Sequence, residues 1–377
     1  MLHCCGNVMT EYFKFFTDDF SQSRRYVGSM DGTIYDDCTT PLFAFDGVGG
    51  PARSEQAEPS RRGSSAREGS RVAVISNPRS YRNKRRPLTV PSGVLVESPR
   101  TRHELRRTLA SFKHDGIELV IVAGGDGTVR DVLTCGTDVW GDSPPVIGVL
   151  PCGKTNALAI DLGVPDDWDI SQMVAAWKAR SFVERPPIEI ERVNEGRPVL
   201  GYLFGAGVFV DATDLAQTTH RFGAVNNLAV ALSIFGAVAS TIMGGNNSAW
   251  RQGKAMAIRY GEDAQLSDGT AANSEGQRFI VLASTMERLP LGLKIFGERR
   301  PGMKTLVVDA PPRRFMRVFT RVLRGMTWKT MADEGVHRVD TGEMRIDLEG
   351  GFILDGERFP AGDYLLRKGA PVTFVTS

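Results

Sequence analysis

The sequence predicts an α/β half followed by a β-rich half, and three observations carry that reading. Between residues 71 and 182, short continuous apolar runs alternate with helix-patterned segments, which is how a parallel sheet covered on both faces is written. From residue 183 onward, strand-like runs follow one another with few helical interruptions. At 377 residues the chain is longer than one small core requires, so two domains are expected.

The elements follow in order. RVAVIS (71–76) is a buried-strand run stopped by the turn signal NPRS (77–80), and SGVLVES (92–98) repeats the pattern. Leu105, Leu109 and Phe112 fall at i, i+4 and i+7, one face of a helix within 101–114. ELVIVA (118–123) and PPVIGVLP (144–151) are the next strands. TNALAIDLG (155–163) reads as a helix closed by Gly163, with Pro165 just beyond. In the second half the strand candidates are PIEIERV (187–193), VLGYLFGAGVFV (199–210), KAMAIRY (254–260), RFIVLAS (278–284) and KTLVVDA (304–310). GEMRIDLEG (342–350), GFILDGE (351–357) and VTFVTS (372–377) complete the set, with helices near 214–243 and 312–327. MRIDL alternates apolar and polar residues with period two, as a half-exposed antiparallel strand does.

Residues 1–70 are set apart from both halves. The stretch 49–70, GGPARSEQAEPSRRGSSAREGS, holds too little apolar surface to offset the entropy of ordering, so it reads as a disordered linker or accessory extension. The net charge of +2 excludes a globally basic, nucleic-acid-coating protein, and no nucleic-acid partner is expected. Five cysteines in no zinc or disulfide spacing fit a reducing compartment, although Cys4-Cys5 offers a conceivable acylation site. No basic start leads into an apolar run, so no signal peptide is read. The apolar stretch 228–243 is short for a membrane span and is diluted by Ser233, Gly236, Ser240 and Thr241, which favours a buried helix.

The chemistry concentrates where the 118–123 strand ends. Gly124-Gly125-Asp126-Gly127-Thr128 removes side chains just where a backbone must come close to a ligand, and its N–H groups can form an anion-binding nest at the start of the next helix. A phosphate chain suits such a nest, with Thr128 as donor or cap. The spacing is neither Walker A nor the GxGxxG fingerprint, and a tight ligand-free turn is the competing reading. Asn77 and Ser80 leave the first strand at the same edge, and LPCGKTNALAIDLGVP (150–165) brings Gly153, Lys154 and Asn156 to it from a third strand.

The ordered set NP-x-S (77–80), GGDGT (124–128) and LP-x-G-x-x-N (150–156) resembles the diacylglycerol kinase catalytic-domain family, which includes sphingosine and ceramide kinases and is distantly related to NAD kinases. The resemblance implies an NAD-kinase-like nucleotide-binding domain (71–182) with a parallel sheet. A β-rich, β-sandwich-like lipid-binding domain (183–377) follows, its last strand returning to the first domain. It implies an ATP-dependent kinase with Mg2+ that phosphorylates the hydroxyl of diacylglycerol or a related lipid alcohol. Asn77, Ser80, Gly124, Gly125, Asp126, Gly127, Thr128, Gly153, Lys154 and Asn156 are then the nucleotide contacts. Asp355-Gly356-Glu357 is similar to the family's late DGE motif. Asp355 is accordingly the first candidate for general base, Asp126 the alternative, and Glu357 an acid beside the phosphate. Without the resemblance, Asp-Gly between apolar runs is simply a hairpin turn. FGAGVFVDAT (204–213) looks like the segment that opens the lipid domain, and RFGAVNNLAVAL (221–232) like the helix after it.

Three departures stand out. Arg130 and Asp131 occupy positions where the family usually has Asn-Glu; Lys154 and Ala157 interrupt its GTxND; and STMERLPLGLKIFG (284–297) replaces its Asn- and Gly-rich lipid-domain segment. Ceramide or sphingoid-base phosphorylation, NAD phosphorylation and a degenerate nucleotide- or lipid-sensing kinase remain as alternatives. For membrane access, PPRRFMRVFTRVLRGM (311–326) puts Phe315, Val318, Phe319 and Val322 on one helix face and Arg317, Arg321 and Arg324 on another, with Arg313 and Arg314 at its start. An ordinary surface helix with a solvated cationic face is the rival reading, and the run 79–87 is a second basic cluster. The expectation is a cytoplasmic protein attached transiently and peripherally to membranes, with a homodimer kept open.

Overall fold

The computed structural model describes residues 71–83, 87–141, 143–193, 198–210, 252–266 and 274–377. The expected extension 1–70, the helix expected from residue 221, the apolar stretch 228–243, residues 211–213 and residues 84–86 lie outside these. Among the described residues, no helix is long and apolar enough to cross a membrane.

The first sheet begins with β1 (Val72–Ser76), β2 (Leu95–Glu97), β3 (Leu119–Gly124) and β4 (Val146–Pro151). They run in the order β2-β1-β3-β4, all parallel. β1 and β3 are buried along their whole length, which is why they read as unbroken apolar runs. The covering helices are α1 (Arg102–His114), α2 (Asp126–Trp140), α3 (Ala157–Leu162) and α4 (Ile170–Lys178). Thr101 caps α1 by accepting the N–H of Glu104 at 3.1 Å, and α1 buries Leu105, Leu109 and Phe112 as its spacing predicts. The register sets Ser76 beside Ala123 and Gly124 beside Pro151, so three strand ends lie side by side.

Two late additions complete this sheet. β5 (Phe182–Arg185) pairs antiparallel with the C-terminal strand β18 (Val372–Val375), and β18 pairs parallel with β4. The chain's last strand is therefore inserted between two strands laid down in the first half of the sequence. The expected boundary at 182/183 falls inside β5.

The second sheet contains β6 (Ile188–Arg192), β7 (Val199–Gly201), β8 (Leu203–Gly207), β9 (Lys254–Tyr260), β10 (Gln265–Leu266) and β11 (Ser274–Ser284). It continues with β12 (Lys304–Asp309), β13 (Val336–Asp340), β14 (Glu343–Leu348), β15 (Phe352–Leu354), β16 (Glu357–Phe359) and β17 (Gly362–Lys368). Among the described residues these form one antiparallel network of 12 strands, in which β8 joins β11 to the β15–β16 hairpin. Ile188, Phe204, Met256, Val281, Phe352 and Tyr364, from six different strands, share one core. Phe352 stacks on Phe359 and meets Tyr364 edge-on, both at 4.9 Å. β14 buries Met344, Ile346 and Leu348 and exposes the residues between, the period-two pattern read from MRIDL.

The run expected as one strand over 199–210 is broken. β7 ends at Gly201, β8 starts at Leu203, and the N–H of Tyr202 turns to the Asp355 carboxylate instead of a neighbouring strand. That bend brings the two sheets together. Thr134 of α2 accepts the N–H of Leu200 at 3.0 Å, and the Tyr202 ring meets Phe374 of β18 edge-on at 6.1 Å.

The predicted helix at 312–327 is α5 (Phe315–Leu323). Phe315, Val318 and Val322 are buried in a separate apolar cluster with Phe279, Leu306 and Val336, while Phe319 packs at its edge.

Candidate functional site

The glycine loop is built on contacts between loops. The backbone of Asn77 donates to the carbonyl of Ala123 at 3.0 Å, and its side-chain amide donates to the Thr128 hydroxyl at 3.1 Å. Its Oδ1 accepts the N–H of Arg79 at 2.9 Å, which closes the NPRS turn over buried Ser80. Thr128 folds back over Gly124, where a Cβ would sit 2.5 Å from the Thr128 Cβ. A Cβ on Gly153 would lie 2.7 Å from the Gly125 Cα, so the two glycine segments touch backbone to backbone. Asn156, in the left-handed region at φ 51°, holds this loop by accepting the N–H of Gly153 at 2.8 Å and donating to its carbonyl at 3.2 Å. Lys154 stands at the exposed tip between them.

These contacts bare the start of α2. Gly125 caps this helix of 15 residues with no side-chain hydrogen bond, and the N–H of Thr128 turns back to the Gly125 carbonyl at 2.9 Å. That is the arrangement of an anion-binding helix terminus, with Gly127 open beside it.

Asp126 does not face solvent alone. Its two carboxylate oxygens accept the N–H groups of Ala157 and Leu158, each at 3.0 Å, and so cap α3. The hairpin reading of Asp355 holds. Asp355 and Gly356, at φ 48° and 83°, form the two-residue turn between β15 and β16. The Asp355 carboxylate also accepts the N–H of Leu203 at 2.9 Å and of Tyr202 at 3.1 Å. One acid at the start of α2 and one at the β15–β16 turn thus organise the backbone around them.

The two acids are electrically coupled. Burial, then the negative charge of Asp126, push the Asp355 carboxyl up to about 7, against the opposing pull of Arg130 and the backbone N–H groups. Burial also raises Asp126, while its backbone hydrogen bonds favour the ionised form. Asp355 is the group that takes up a proton near neutrality.

Glu357 points the other way, into a buried ion cluster. It pairs with Arg130 and, at 3.3 Å, with Arg102; Asp131 lies 3.0 Å from Arg130 and 3.6 Å from Arg102. Two guanidinium groups thus neutralise two carboxylates at the foot of the seam. Desolvation alone would drive the Asp131 carboxyl up, and the two arginines oppose this.

Sequence reasoning placed Asn77, the glycine loop, Asn156, Asp126 and Asp355 at one location, and they meet there. It missed the constructive role of Arg130, which it noted only as a departure, and it missed Arg102, Thr134 and Tyr202. Nothing local marks those three, because their partners lie 66 to 255 positions away.

Among the described residues, no group of three or more His, Cys, Asp and Glu could hold a metal ion. Asp126 and Asp355 each already accept two backbone N–H groups, so Mg2+ at this place would be held mainly by substrate phosphates and water. On α5 the apolar face is committed to the core, and Arg313, Arg314, Arg317, Arg321 and Arg324 are all exposed. The cationic face is what this helix offers to a partner.

Comparison with known proteins agrees with this geometry. Residues 71–183 match the model of the diacylglycerol kinase catalytic domain. A protein of Cronobacter sakazakii named "Probable lipid kinase YegS-like" is 28% identical over 166 residues, 43% of this chain and 54% of that protein. One of Shigella flexneri named "Probable lipid kinase YegS" is 41% identical over 54 residues, 14% of this chain and 18% of its own length. The matches therefore span about half or less of those relatives. A solved diacylglycerol kinase structure from Bacillus anthracis superposes with a TM-score of 0.52 at 14% identity, covering 81% of this chain and 97% of that one, which is a likeness of fold. Over residues 71–183, then, the chain is similar to the diacylglycerol kinase catalytic-domain family.

Proposed function

We propose that this protein is an ATP-dependent lipid kinase that phosphorylates the hydroxyl of diacylglycerol or a related lipid alcohol. The observation that carries this reading is the meeting of the glycine loop and the Asp355 turn. A nest of backbone donors on the first sheet faces a carboxylate that titrates near neutrality on the second. In this reading residues 71–185 with 372–375 hold the nucleotide and 186–370 hold the lipid.

Phosphoryl transfer asks the protein mainly for position and charge. The N–H groups at the start of α2 receive the phosphates, Asn77 and Asn156 keep the two loops in register, and Lys154 reaches from the loop tip toward phosphate oxygens. Mg2+ bound with the nucleotide would neutralise charge on the phosphates. Asp355 accepts the proton of the lipid hydroxyl as its oxygen takes the γ-phosphoryl group and ADP leaves. Asp126 keeps the Asp355 carboxyl basic enough for that task at neutral pH.

The lipid is reached at an anionic membrane surface through the arginines of α5. Since the apolar face of this helix is buried, attachment is electrostatic, helped by Leu291 and Met326, which are 67% and 51% exposed. Lys294 belongs to the same surface, its N–H bonded to the carbonyl of Leu323 at 3.0 Å.

The test is to incubate the protein with Mg2+, γ-labelled ATP and, separately, diacylglycerol, ceramide, sphingosine and NAD. Label in diacylglycerol, lost in Asp126→Ala, is the expected result. Label only in a sphingolipid or only in NAD would replace the substrate assignment. ATP binding with no labelled product would make the chain a sensor.

A further inference from the structure

We infer that Arg130 is a positioning residue: its guanidinium clamps the Asp355–Gly356–Glu357 turn on both sides and fixes Asp355 against the glycine loop. The inference rests on reading Asp355 as the proton acceptor.

Arg130 lies four residues after Asp126 on α2, so the two side chains leave the same face of the helix. Its Nη1 donates to the carbonyl of Leu354 at 3.2 Å, the residue before Asp355. Its Nη2 pairs with the carboxylate of Glu357, two residues after Asp355, and donates to Asp131 at 3.0 Å. The guanidinium carbon sits 5.9 Å from the ring centroid of Phe359 on the returning strand. On the other side, a Cβ on Gly127 would lie 3.8 Å from Nη2, which places the cation directly beneath the nest. One planar fork thus touches the glycine loop and both arms of the hairpin, and only 4% of its side chain is exposed.

Lysine could not reproduce this. It has a single ammonium in place of a fork that reaches two acceptors at a fixed angle. Neither is the clamp a generic surface ion pair. Arg102 and Asp131 close it from below, so Glu357 is held by two cations and the turn has no freedom to swing away.

The charged groups around Asp355 are few. From α2 come Asp126 and Arg130; from the β7–β8 bend come the N–H groups of Tyr202 and Leu203 and the Tyr202 phenol; from its own hairpin comes Glu357, already paired. Arg130 is the cation that acts on Asp355 in this set. Removing it has a signature that loss of packing alone lacks, because Asp355 should hold its proton to higher pH.

The experiment is a carbon-13 titration of selectively labelled aspartate carboxyls, with Asp355 assigned by its loss in Asp355→Asn. It is run on the parent, Arg130→Gln, Arg130→Lys and Arg358→Gln, alongside the pH profile of kcat. Arg358 is exposed on the same hairpin, and its replacement controls for the loss of one positive charge. The expected result is a rise in the Asp355 midpoint of about one unit or more in Arg130→Gln. The kcat profile should move in parallel, Arg130→Lys should shift less, and Arg358→Gln should not shift. An unchanged Asp355 midpoint in a folded Arg130→Gln overturns the inference; if that variant does not fold, the same midpoint in Arg130→Lys as in the parent, with unchanged kcat, does so. A shifted titration in a protein whose parent phosphorylates no lipid would leave the clamp standing and remove the kinase reading.

Discussion

Asp126 and Asp355 are each doubly employed. Each carboxylate holds two backbone N–H groups of an adjoining segment, and each is raised by burial. This has a consequence for stability. An acid whose folded pKa lies above its unfolded value favours the fold below the unfolded pKa and loses that contribution as pH rises through the folded one. Asp355, moved from 3.8 to about 7, should therefore make the protein progressively less stable between about pH 4 and 7. Asp309, lowered by His337 and Arg278, acts in the opposite sense but has delivered its contribution by about pH 5. Urea midpoints measured from pH 5 to 8 should fall for the parent and fall less for Asp355→Asn, whose amide oxygen can still accept both N–H groups. Equal slopes for the two would mean that Asp355 is not titrating in this range. The sequence announced both acids through the motifs around them. It did not announce Arg130 as a clamp, because the meaning of that residue depends on Leu354 and Glu357, more than 220 positions away.

At the scale of elements, periodicity was a good guide wherever burial was one-sided or complete. The β1 and β3 runs, the α1 face and the alternation in β14 all fold as their patterns predict. Two elements slipped through for physical reasons. α4 is announced mainly by its capping box, Asp169 with Gln172, and buries only Ile170 and Met173. The 199–210 run looked like one strand because its composition is uniformly apolar, whereas the bend at Tyr202 is imposed by a carboxylate from residue 355. α5 shows how an amphipathic pattern can be right and still misdirect. Its apolar face, which suggested a bilayer, closes the core, and only the arginines remain outside. Arg317→Glu with Arg321→Glu should therefore abolish most binding to vesicles rich in anionic lipid, at about 1 kcal/mol per arginine removed. Binding of the parent should weaken steeply with added salt. Activity on substrate dispersed in neutral micelles should hardly change. Salt-insensitive binding would mean that another surface docks.

At the scale of the molecule, buried contacts join the two sheets. β18 sits between β4 and β5, and its Phe374 is fully buried against Tyr202 at the bend that carries Asp355's partners. Phe374→Ala should cost about 3–5 kcal/mol, the usual range for emptying a buried phenylalanine site. Fluorescence and circular dichroism should report one shared transition moving to lower denaturant. Two separated transitions would show that the sheets unfold independently. The parallel sheet was legible because alternating strands and helices leave little choice of architecture. The late return of the chain is legible only in outline, since nothing within Val372–Val375 names β4 as its neighbour.

As proposed, lipid phosphorylation occurs where the glycine loop meets the Asp355 turn. Its most direct test is the initial rate of transfer of the γ-phosphoryl group of ATP to diacylglycerol at pH 7.5 by the parent and by Asp355→Asn, with the folding of both verified by thermal unfolding. A loss of about 10²-fold or more in kcat, in a variant that unfolds no more easily than the parent, is the predicted result. An equally stable variant that transfers phosphate at the parental rate would contradict it.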